Sequence, residues 1–255
     1  MTKLVLNYDR SPANKAELDA DRRVINNAIR LFDGIKFGYA SMFSEPERDA
    51  NSTPTSNLLR DYVHGVYPST EIILDAKLDD IGNTIEAAIM SLTKKVRSVT
   101  LHASIKPSAL TRAVRASEQA GKEKGVRPLF LFGVSVLTDF DDADCLTVFG
   151  KPVKGKVLDF AKALVDAGVP GIVCSGQELD LLGDAGLLTH LTTFVQGIRP
   201  DWFSRAGDDQ ARAITPREAV RKGANLIGVG RPIWNGPYPA AKAAQLIQQE
   251  MKAAR

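Results

Sequence analysis

Short apolar runs rich in β-branched residues alternate along the chain with longer segments in which apolar residues recur every three or four positions. The first pattern is typical of buried strands, and the second is typical of amphipathic helices that cover them. Eight runs have the strand pattern: Leu4–Leu6, Ile35–Gly38, Ile72–Leu74, Val99–Leu101, Leu129–Val134, Gly171–Cys174, Thr193–Val195 and Leu226–Val229. This alternation predicts an α/β protein with parallel strands.

Each predicted strand is followed by one predicted helix. The helical pattern covers residues 15–32, 55–65, 83–95, 108–122, 155–167, 177–183, 216–222 and 239–252. Eight strand–helix units in 255 residues are typical of a closed (β/α)8 barrel, the TIM barrel, and we predict one such domain over residues 1–255. An open doubly wound sheet is the alternative, but it usually has a glycine-rich loop after its first strand, and Leu6–Asp9 contains no glycine.

The composition is that of an ordinary folded protein, with 44% hydrophobic and 25% charged residues. A net charge of +3 without a block of like charges argues against binding to nucleic acid or to a membrane surface. No apolar run is long enough to span a membrane, and Met1–Arg10 lacks the apolar core of a signal peptide, so we expect a cytoplasmic protein. Two cysteines and three histidines, none at metal-ligand spacing, predict no metal site.

Charged residues occur where several predicted strands end, which is the end at which a (β/α)8 barrel builds its active site. They are Asp9 after the first strand, Lys36 on the second, and Asp75, Lys77 and Asp80 after the third. Because side chains two positions apart on a strand share a face, Asp75 and Lys77 are predicted to point together into the barrel mouth. With Lys36 and Asp80 they would form an array of two ammonium and two carboxylate groups. A structural ion-pair network is the alternative, and the position at the catalytic end favours a functional site.

Glycine and arginine recur after the seventh and eighth predicted strands, in Gly197–Arg199, Gly207–Arg212 and Gly228–Pro232. Loops at these places often bind phosphate, because glycine lets backbone N–H groups approach the oxygens and arginine binds two oxygens at once. Alone, a Gly-Arg pair after a strand is often only a turn followed by a solvated arginine. Its placement after the eighth strand favours a phosphate site, and the predicted ligand is a phosphomonoester.

In these residues the chain resembles the orotidine 5′-phosphate decarboxylase family over nearly its whole length. The segment Leu74–Thr84, LDAKLDDIGNT, resembles the family's Asp-x-Lys-x-x-Asp-Ile signature. Further segments match in the family's order: Leu6–Asp9, Ile35–Gly38, Leu101–Ala103, Gly133–Thr138, Val173–Ser175, Gly197–Arg199, Gly207–Arg212 and Val229–Ile233. One departure is Gly82, where the family usually has proline, and glycine loosens the loop that carries Asp80.

The resemblance implies a homodimeric (β/α)8 barrel that converts orotidine 5′-phosphate to UMP in pyrimidine biosynthesis, with no metal or organic cofactor. It implies that Lys77 protonates C6 of the pyrimidine, that Asp75 lies against the departing carboxylate, and that Lys36 contacts the ribose and holds Asp75. It also implies that Asp80 and Thr84 enter the partner subunit's site. The remaining binding residues that it implies are Asp9 for a ribose hydroxyl, Thr138 for the pyrimidine, Gln210 between pyrimidine and phosphate, and Arg199, Gly230 and Arg231 for the phosphate.

Two other functions fit parts of the pattern. Related sugar-phosphate decarboxylases and aldolases share a similar barrel and Asp-x-Lys motif but use a magnesium-stabilised enediolate. Those relatives carry an acidic metal ligand on the second strand. This chain has Lys36 at that place, and its positive charge would repel Mg²⁺. A catalytically silent nucleotide sensor would keep the phosphate loops without needing the charged array, whose burial is unfavourable. We interpret His102 and Cys174 as structural residues, because the array already supplies the proton and Cys174 lies in an apolar strand.

Overall fold

Eight strands form the centre of the protein in the computed structural model, which describes residues 1–42, 58–94, 96–203 and 212–254. They are β1 (Lys3–Tyr8), β2 (Gly34–Phe37), β3 (Glu71–Leu78), β4 (Ser98–His102), β5 (Phe130–Val134), β6 (Gly171–Ser175), β7 (Thr192–Gln196) and β8 (Leu226–Val229). Every predicted strand is present. The largest difference is in β3, which continues to Leu78, whereas the prediction ended it at Leu74. The prediction was too short because the last residues of the strand include charged ones, which interrupt the apolar run.

The strands pair in parallel and in chain order, and the sheet closes on itself. β1 pairs with β2 on one side and with β8 on the other, so that Val5 has Gly34 and Gly228 as its neighbours in register. The open doubly wound sheet is excluded because it would leave the first and last strands of the sheet unpaired on one side. The predicted single-domain (β/α)8 barrel is confirmed.

Helices follow the strands around the outside of the barrel. Those in the described residues are α1 (Lys15–Ala28), α2 (Tyr39–Met42), α3 (Leu58–Val66), α4 (Gly82–Leu92), α5 (Pro107–Lys124), α6 (Asp142–Phe149), α7 (Val153–Ala167), α8 (Leu179–Asp184), α9 (Pro216–Arg221), α10 (Arg231–Trp234) and α11 (Ala240–Ala253). The predicted helices are present with shifted ends, and residues 55–57 and 95 of two of them lie outside the described residues. None of the described helices has the length and apolar character of a membrane span.

The sequence pattern missed α2, α6 and α10, which are short. α6 is specified by its ends and not by an apolar face. The Asp141 side chain accepts a hydrogen bond from the Asp144 N–H, the Asp144 side chain accepts one from the Asp141 N–H, and Gly150 ends the helix in the left-handed conformation. Such reciprocal capping satisfies N–H groups that a helix leaves unpaired, so it stabilises a short helix that has no periodic signal.

The packing inside the barrel leaves its carboxyl end open. One layer of apolar side chains fills the interior: Val5, Ile73, Phe132, Phe194 and Leu226. Two positions further along the same strands, and therefore on the same inward face, stand Asn7, Asp75, Val134, Gln196 and Gly228, and these line a cavity. The apolar layer is thus the floor under the cavity, and the change to polar side chains marks where the functional site begins.

Candidate active site

The cavity at the carboxyl ends of the strands has a volume of about 290 Å³. Residues from every strand or from the loop that follows it contribute to its lining. Among them are the predicted site residues Asp9, Lys36, Asp75, Lys77, Thr138, Arg199, Gly230 and Arg231. Of the other predicted site residues, Asp80 and Thr84 do not line the cavity of this chain, and Gln210 lies outside the described residues.

Asp75 is the centre of a charged cluster in this cavity. Its Oδ2 accepts hydrogen bonds from Lys36 Nζ at 2.7 Å and from Lys77 Nζ at 2.8 Å. Lys36 Nζ also donates to Asp9 Oδ1 at 3.1 Å. Lys36 and Asp75 are buried, whereas Asp9 is exposed at the rim. The structure therefore brings together three members of the predicted array, Lys36, Asp75 and Lys77, and adds Asp9 beside them.

The charges of this cluster sustain one another. Burial by itself raises the pKa of the Asp75 carboxyl, but the ammonium groups of Lys36 and Lys77 outweigh it and hold that pKa well below its usual range. Burial likewise lowers the pKa of Lys36, and the carboxylates of Asp75 and Asp9 reverse this, so that the pKa of Lys36 is raised. Asp75 is therefore an anion and Lys36 a cation at neutral pH.

Thr100, on the neighbouring strand β4, fixes the orientation of the cluster. Its hydroxyl donates to Asp75 Oδ1 at 2.8 Å and accepts a hydrogen bond from the Lys77 backbone N–H at 2.8 Å. Both carboxylate oxygens of Asp75 are thereby engaged, one by the two ammonium groups and the other by a hydroxyl. The sequence analysis missed Thr100, because a threonine within a strand carries no charge and has no distinguishing spacing.

The backbone at Lys77 is unusual for a residue with a side chain. Its φ is 41°, in the left-handed region, and the pairing of β3 with β4 changes register between Leu74 and Leu78. A regular strand also places residues two positions apart on one face, which is why the sequence predicted that Asp75 and Lys77 share a face. The observed strand brings their charged groups into contact through an irregular backbone, a feature that is common at functional sites.

Asp9 and Gly38 come close together where β1 and β2 end. A Cβ atom on Gly38 would lie 1.8 Å from Asp9 Oδ1, so any side chain at position 38 would displace the Asp9 carboxylate. The Gly38 N–H donates to the Tyr8 carbonyl oxygen at 3.1 Å, which continues the pairing of the two strands. Glycine at position 38 therefore allows Asp9 to reach Lys36.

Tyr39, the first residue of α2, contacts the cluster from the rim. The Lys77 ammonium lies 5.3 Å from the centre of its ring, within the range of a cation–π interaction. Its hydroxyl donates to the Ala76 carbonyl oxygen at 2.8 Å. Burial, together with the negative charges of Asp75 and Asp79, raises the pKa of Tyr39. Tyr39 was missed by the sequence analysis; an aromatic residue directly after the segment Ile35–Gly38 was the only signal for it.

Asp80 and Thr84 lie near the start of α4, and neither of them lines the cavity of its own chain. Asp80 is exposed, and its Oδ1 accepts a hydrogen bond from the Ile81 N–H at 2.6 Å. Thr84 is also exposed. Between them Ile81, an apolar residue, is 70% exposed. The fourth member of the predicted array is therefore separate from the other three within a single chain.

The predicted phosphate-binding residues lie on one side of the cavity, after β7 and β8. Arg199 Nη1 donates to the Ile198 carbonyl oxygen at 3.0 Å, and its guanidinium lies 5.7 Å from the centre of the Phe203 ring. Gly230 directly precedes α10, and the exposed Arg231 is the first residue of that helix. Two guanidinium groups thus border the same part of the cavity, where they can bind an anion.

Arg212, in a segment that the sequence linked to phosphate, is engaged in a second ion pair. Its guanidinium donates to Glu178 Oε1 and to the Leu137 carbonyl oxygen. The other carboxylate oxygen of Glu178 accepts the Ser175 N–H at 3.0 Å. Burial raises the pKa of Glu178 to about 7 in spite of the Arg212 charge. Arg212 therefore supports the loop next to Thr138 instead of bordering the cavity.

His102 and Cys174 have the surroundings expected of structural residues. His102 is half-buried at the end of β4 and does not line the cavity; burial lowers its pKa. Cys174 does line the cavity, but it is buried, and burial raises the pKa of its thiol well above the usual value. A thiol that stays protonated is a poor nucleophile.

Comparison with known proteins finds relatives that are named orotidine 5′-phosphate decarboxylase. An orotidine 5′-phosphate decarboxylase of Opitutus terrae is 37% identical over 181 residues, which cover 70% of this chain and 75% of that protein. One from Methylobacterium sp. (strain 4-46) is 31% identical over 254 residues, which cover 97% of this chain and 94% of that protein. The crystal structure of orotidine 5′-phosphate decarboxylase from Lactobacillus acidophilus superposes with a TM-score of 0.71 at 23% identity, covering 98% of this chain and 99% of that one, and it supports the fold.

The closed barrel with a lysine–aspartate cluster at its mouth defines the class of protein as a (β/α)8-barrel enzyme. Within that class, residues 16–246 match the family described as orotidine 5′-phosphate decarboxylase / HUMPS. The chain belongs to the orotidine 5′-phosphate decarboxylase family, and the resemblance found in the sequence is confirmed.

Proposed function

We propose that the protein converts orotidine 5′-phosphate to UMP by a decarboxylation in which Lys77 protonates C6 of the pyrimidine. Membership of the family makes the chain a decarboxylase of this type, and the roles of the individual residues are the substance of the proposal. The observation that carries it is the Lys77 ammonium, held 2.8 Å from Asp75 Oδ2 in a cavity large enough for a small ligand.

The chemistry requires a positive charge next to C6. When the bond between C6 and the carboxylate breaks, CO₂ leaves and the electron pair stays on C6, which has no neighbouring electron sink. An ammonium group already in place stabilises this negative charge more effectively in a cavity that excludes water than in solution. Lys77 then transfers a proton to C6, which gives UMP, and regains a proton from solvent.

The rest of the cluster holds Lys77 in place. Asp75, an anion at neutral pH, accepts hydrogen bonds from the ammonium groups of both Lys36 and Lys77. We assign to Lys36 the contact with the ribose and the positioning of Asp75, and to Asp9 a ribose hydroxyl, since Asp9 is exposed at the rim and bonded to Lys36. Asp75 also faces the departing carboxylate, and the relief of their repulsion is a smaller contribution than the ammonium charge.

The phosphate of the substrate is assigned to the side of the cavity bordered by Arg199, Gly230 and Arg231. A guanidinium group binds two phosphate oxygens at once, and glycine exposes backbone N–H groups to a third. Binding energy from this remote group helps to order the site around the pyrimidine, so loss of Arg231 is expected to lower kcat as well as raise KM. Thr138, on the loop after β5, is assigned to the pyrimidine.

The proposal includes a homodimer in which Asp80 and Thr84 complete the partner's site. Three features of the single chain support it: Asp80 does not line the cavity of its own chain, Thr84 is exposed, and the apolar residue Ile81 between them is 70% exposed. If a second copy packed against Ile81, the neighbouring Asp80 and Thr84 would be brought close to the site of that second copy. The fourth charge would then be supplied by the partner.

The direct test is turnover of orotidine 5′-phosphate by chelator-treated protein, followed by ultraviolet absorbance. Wild-type protein is expected to be active, and Lys77→Ala is expected to be inactive while it remains folded by circular dichroism. The matched control is Lys151→Ala, which removes an exposed lysine that pairs with Asp159 and does not line the cavity, and it is expected to leave turnover unchanged. Retention of turnover by Lys77→Ala would remove Lys77 from its assigned role.

The same assay separates the alternatives. Activity that disappears with chelator and returns with Mg²⁺ would favour the magnesium-dependent reaction, although the buried Lys36 ammonium, 2.7 Å from Asp75, opposes a metal ion at that position. Tight UMP binding without any turnover would favour a nucleotide sensor. Robust turnover in the presence of chelator excludes both.

A further inference from the structure

Two amide side chains form a buried pair at the bottom of the cavity. Asn7 Nδ2 donates to Gln196 Oε1 at 2.8 Å and so links the end of β1 to the end of β7. Asn7 is 8% exposed, and both residues line the cavity. Within the described part of the chain, the two remaining amide atoms, Asn7 Oδ1 and Gln196 Nε2, are buried and have no hydrogen-bond partner. Buried polar groups nearly always have a partner in a working protein, so these two atoms indicate a polar ligand.

Gly228 of β8, the strand between β1 and β7, leaves the space for this pair. A Cβ atom at position 228 would lie 2.6 Å from Gln196 Nε2 and 2.7 Å from Asn7 Oδ1, which is too close for either atom. The free donor and the free acceptor are therefore both near one point above the glycine backbone. Turning both amides over exchanges their roles but still leaves one donor beside one acceptor.

Gln196, one member of the amide pair, lies across the barrel from the proposed proton donor. In the closed order of strands, β7 is the fourth strand from β3 in either direction, so Gln196 on β7 and Lys77 on β3 stand on opposite sides of the cavity. In a pyrimidine-2,4-dione, N3 is the ring atom opposite C6. When C6 faces Lys77, N3–H and its neighbouring carbonyls face β7.

We propose that Asn7 and Gln196 together bind the imide edge of the pyrimidine. One of the two amides donates a hydrogen bond to a ring carbonyl oxygen, and the other accepts a hydrogen bond from N3–H. The inference rests on the proposed decarboxylation, which places C6 at Lys77. Two carbonyls flank N3–H, so the other one is left for Thr138 on the β5 side. The amide pair is thus a specificity-determining element that orients the ring so that C6 meets the ammonium group.

The test compares binding of UMP with binding of ribose 5-phosphate, which has the same sugar phosphate but no base. Isothermal titration calorimetry on wild-type protein and on the double variant Asn7→Ala/Gln196→Met gives both affinities. The double variant is expected to bind UMP at least about tenfold more weakly, because two hydrogen bonds are lost, and to bind ribose 5-phosphate within about twofold of wild type. Replacing both amides at once leaves neither of them facing an unpaired neighbour.

The matched control is Asn225→Ala, at the other end of the barrel, where Asn225 Oδ1 accepts hydrogen bonds from Thr193 N at 2.8 Å and Thr193 Oγ1 at 3.1 Å. This variant is expected to lower the melting temperature without changing either affinity. Should the double variant fail to fold by circular dichroism, Gln196→Met alone carries the test, with the same selective loss of UMP binding expected.

Each result bears on one proposal. Equal weakening of both ligands, or unchanged UMP binding, would overturn the role of the amide pair and leave a bound water as its partner. Selective loss of UMP binding supports the pair even in a protein that turns over no orotidine 5′-phosphate, in which case only the proposed reaction fails. Conversely, normal turnover with unchanged UMP binding in the double variant leaves the reaction intact and removes the amide pair from it.

Discussion

Two buried carboxylates at the carboxyl end of the barrel have opposite pKa shifts. Asp75 and Glu178 are 7% and 3% exposed, and burial raises the pKa of both. Asp75 receives two ammonium groups and the Thr100 hydroxyl, and its pKa falls well below the usual range. Glu178 receives one guanidinium, from Arg212, and a backbone N–H, and its pKa rises from 4.5 to about 7.

The difference is that one cation does not compensate for burial at Glu178, whereas two cations more than compensate for it at Asp75. Burial removes water from the charged form, and each nearby positive charge restores part of that loss. The catalytic end therefore holds a permanently charged centre at Asp75, and it holds a carboxylate that titrates near neutrality at Glu178. Three experiments can break or sharpen this comparison.

The largest effect is expected from Lys36→Met, which leaves Asp75 with a single cation and so makes its surroundings resemble those of Glu178. The pKa of Asp75 then rises, and the charged geometry around Lys77 is lost. We expect kcat for orotidine 5′-phosphate to fall by about 10²–10³-fold, the usual effect of removing one preorganised charge from an active site. The ultraviolet assay measures it.

Lys156→Met serves as the control for this prediction. The ammonium group of Lys156, on α7, lies 4.9 Å from the centre of the Phe160 ring. Lys156 does not line the cavity, and its loss is expected to leave kcat unchanged. A Lys36→Met protein that kept most of the wild-type kcat would show that one ammonium suffices at Asp75.

A smaller effect is expected in the dependence of stability on pH. The folded-state pKa of Glu178, about 7, lies above its ordinary value of 4.5, so the proton stabilises the folded chain. This contribution is fully present below about pH 4.5 and is lost as pH rises through about 7, up to about 3 kcal/mol in all. Urea unfolding at several pH values should show wild-type protein losing this stability relative to Glu178→Gln.

Glu218→Gln gives the comparison for that experiment. Glu218 is exposed, and hydrogen bonds from Thr215 lower its pKa. The Glu218→Gln variant is therefore expected to lose stability toward neutral pH just as the wild-type protein does. Parallel stability curves for wild type and Glu178→Gln would mean that Arg212 keeps Glu178 ionised throughout, and the contrast with Asp75 would disappear.

The smallest effect is expected from Thr100→Val, which removes the hydroxyl bonded to Asp75 Oδ1 while keeping the shape of the side chain. We expect kcat to fall roughly tenfold with little change in KM, since one hydrogen bond that orients the cluster is lost. Thr100→Ser should restore most of the rate.

Thr193→Val, the same change at the opposite end of the barrel, is the control and should lower stability while leaving kcat unchanged. A fall in kcat of similar size in Thr193→Val would mean that Thr100 acts only through stability.

Much of the fold could be predicted because buried parallel strands form nearly continuous apolar runs, and all eight were found in this way. The prediction ended β3 too early at Leu74, since the charged residues that make the site also interrupt the apolar run. α2 and α10 each complete about one turn, which is too short for a period of 3.6 residues to appear.

The sequence predicted the charged residues of the site but not its uncharged ones. Charge at a strand end has a recognisable position, which led to Lys36, Asp75 and Lys77. Thr100 and the amide pair of Asn7 and Gln196 could not be found, because uncharged polar residues inside strands have no pattern and acquire meaning only from neighbours on other strands. Asp80 does not line the cavity of its own chain, and its place in a partner subunit's site is part of the proposal.

At position 77 the backbone conformation disfavours the residue that the proposed mechanism requires. Lysine there adopts a left-handed backbone conformation that a residue with a Cβ avoids by about 1 kcal/mol, and glycine would adopt it freely. A search for more stable variants could therefore select glycine at position 77 and lose the proposed proton donor. Efforts to engineer a hardier enzyme from this chain should hold residue 77 fixed and look for stability in the outer helices.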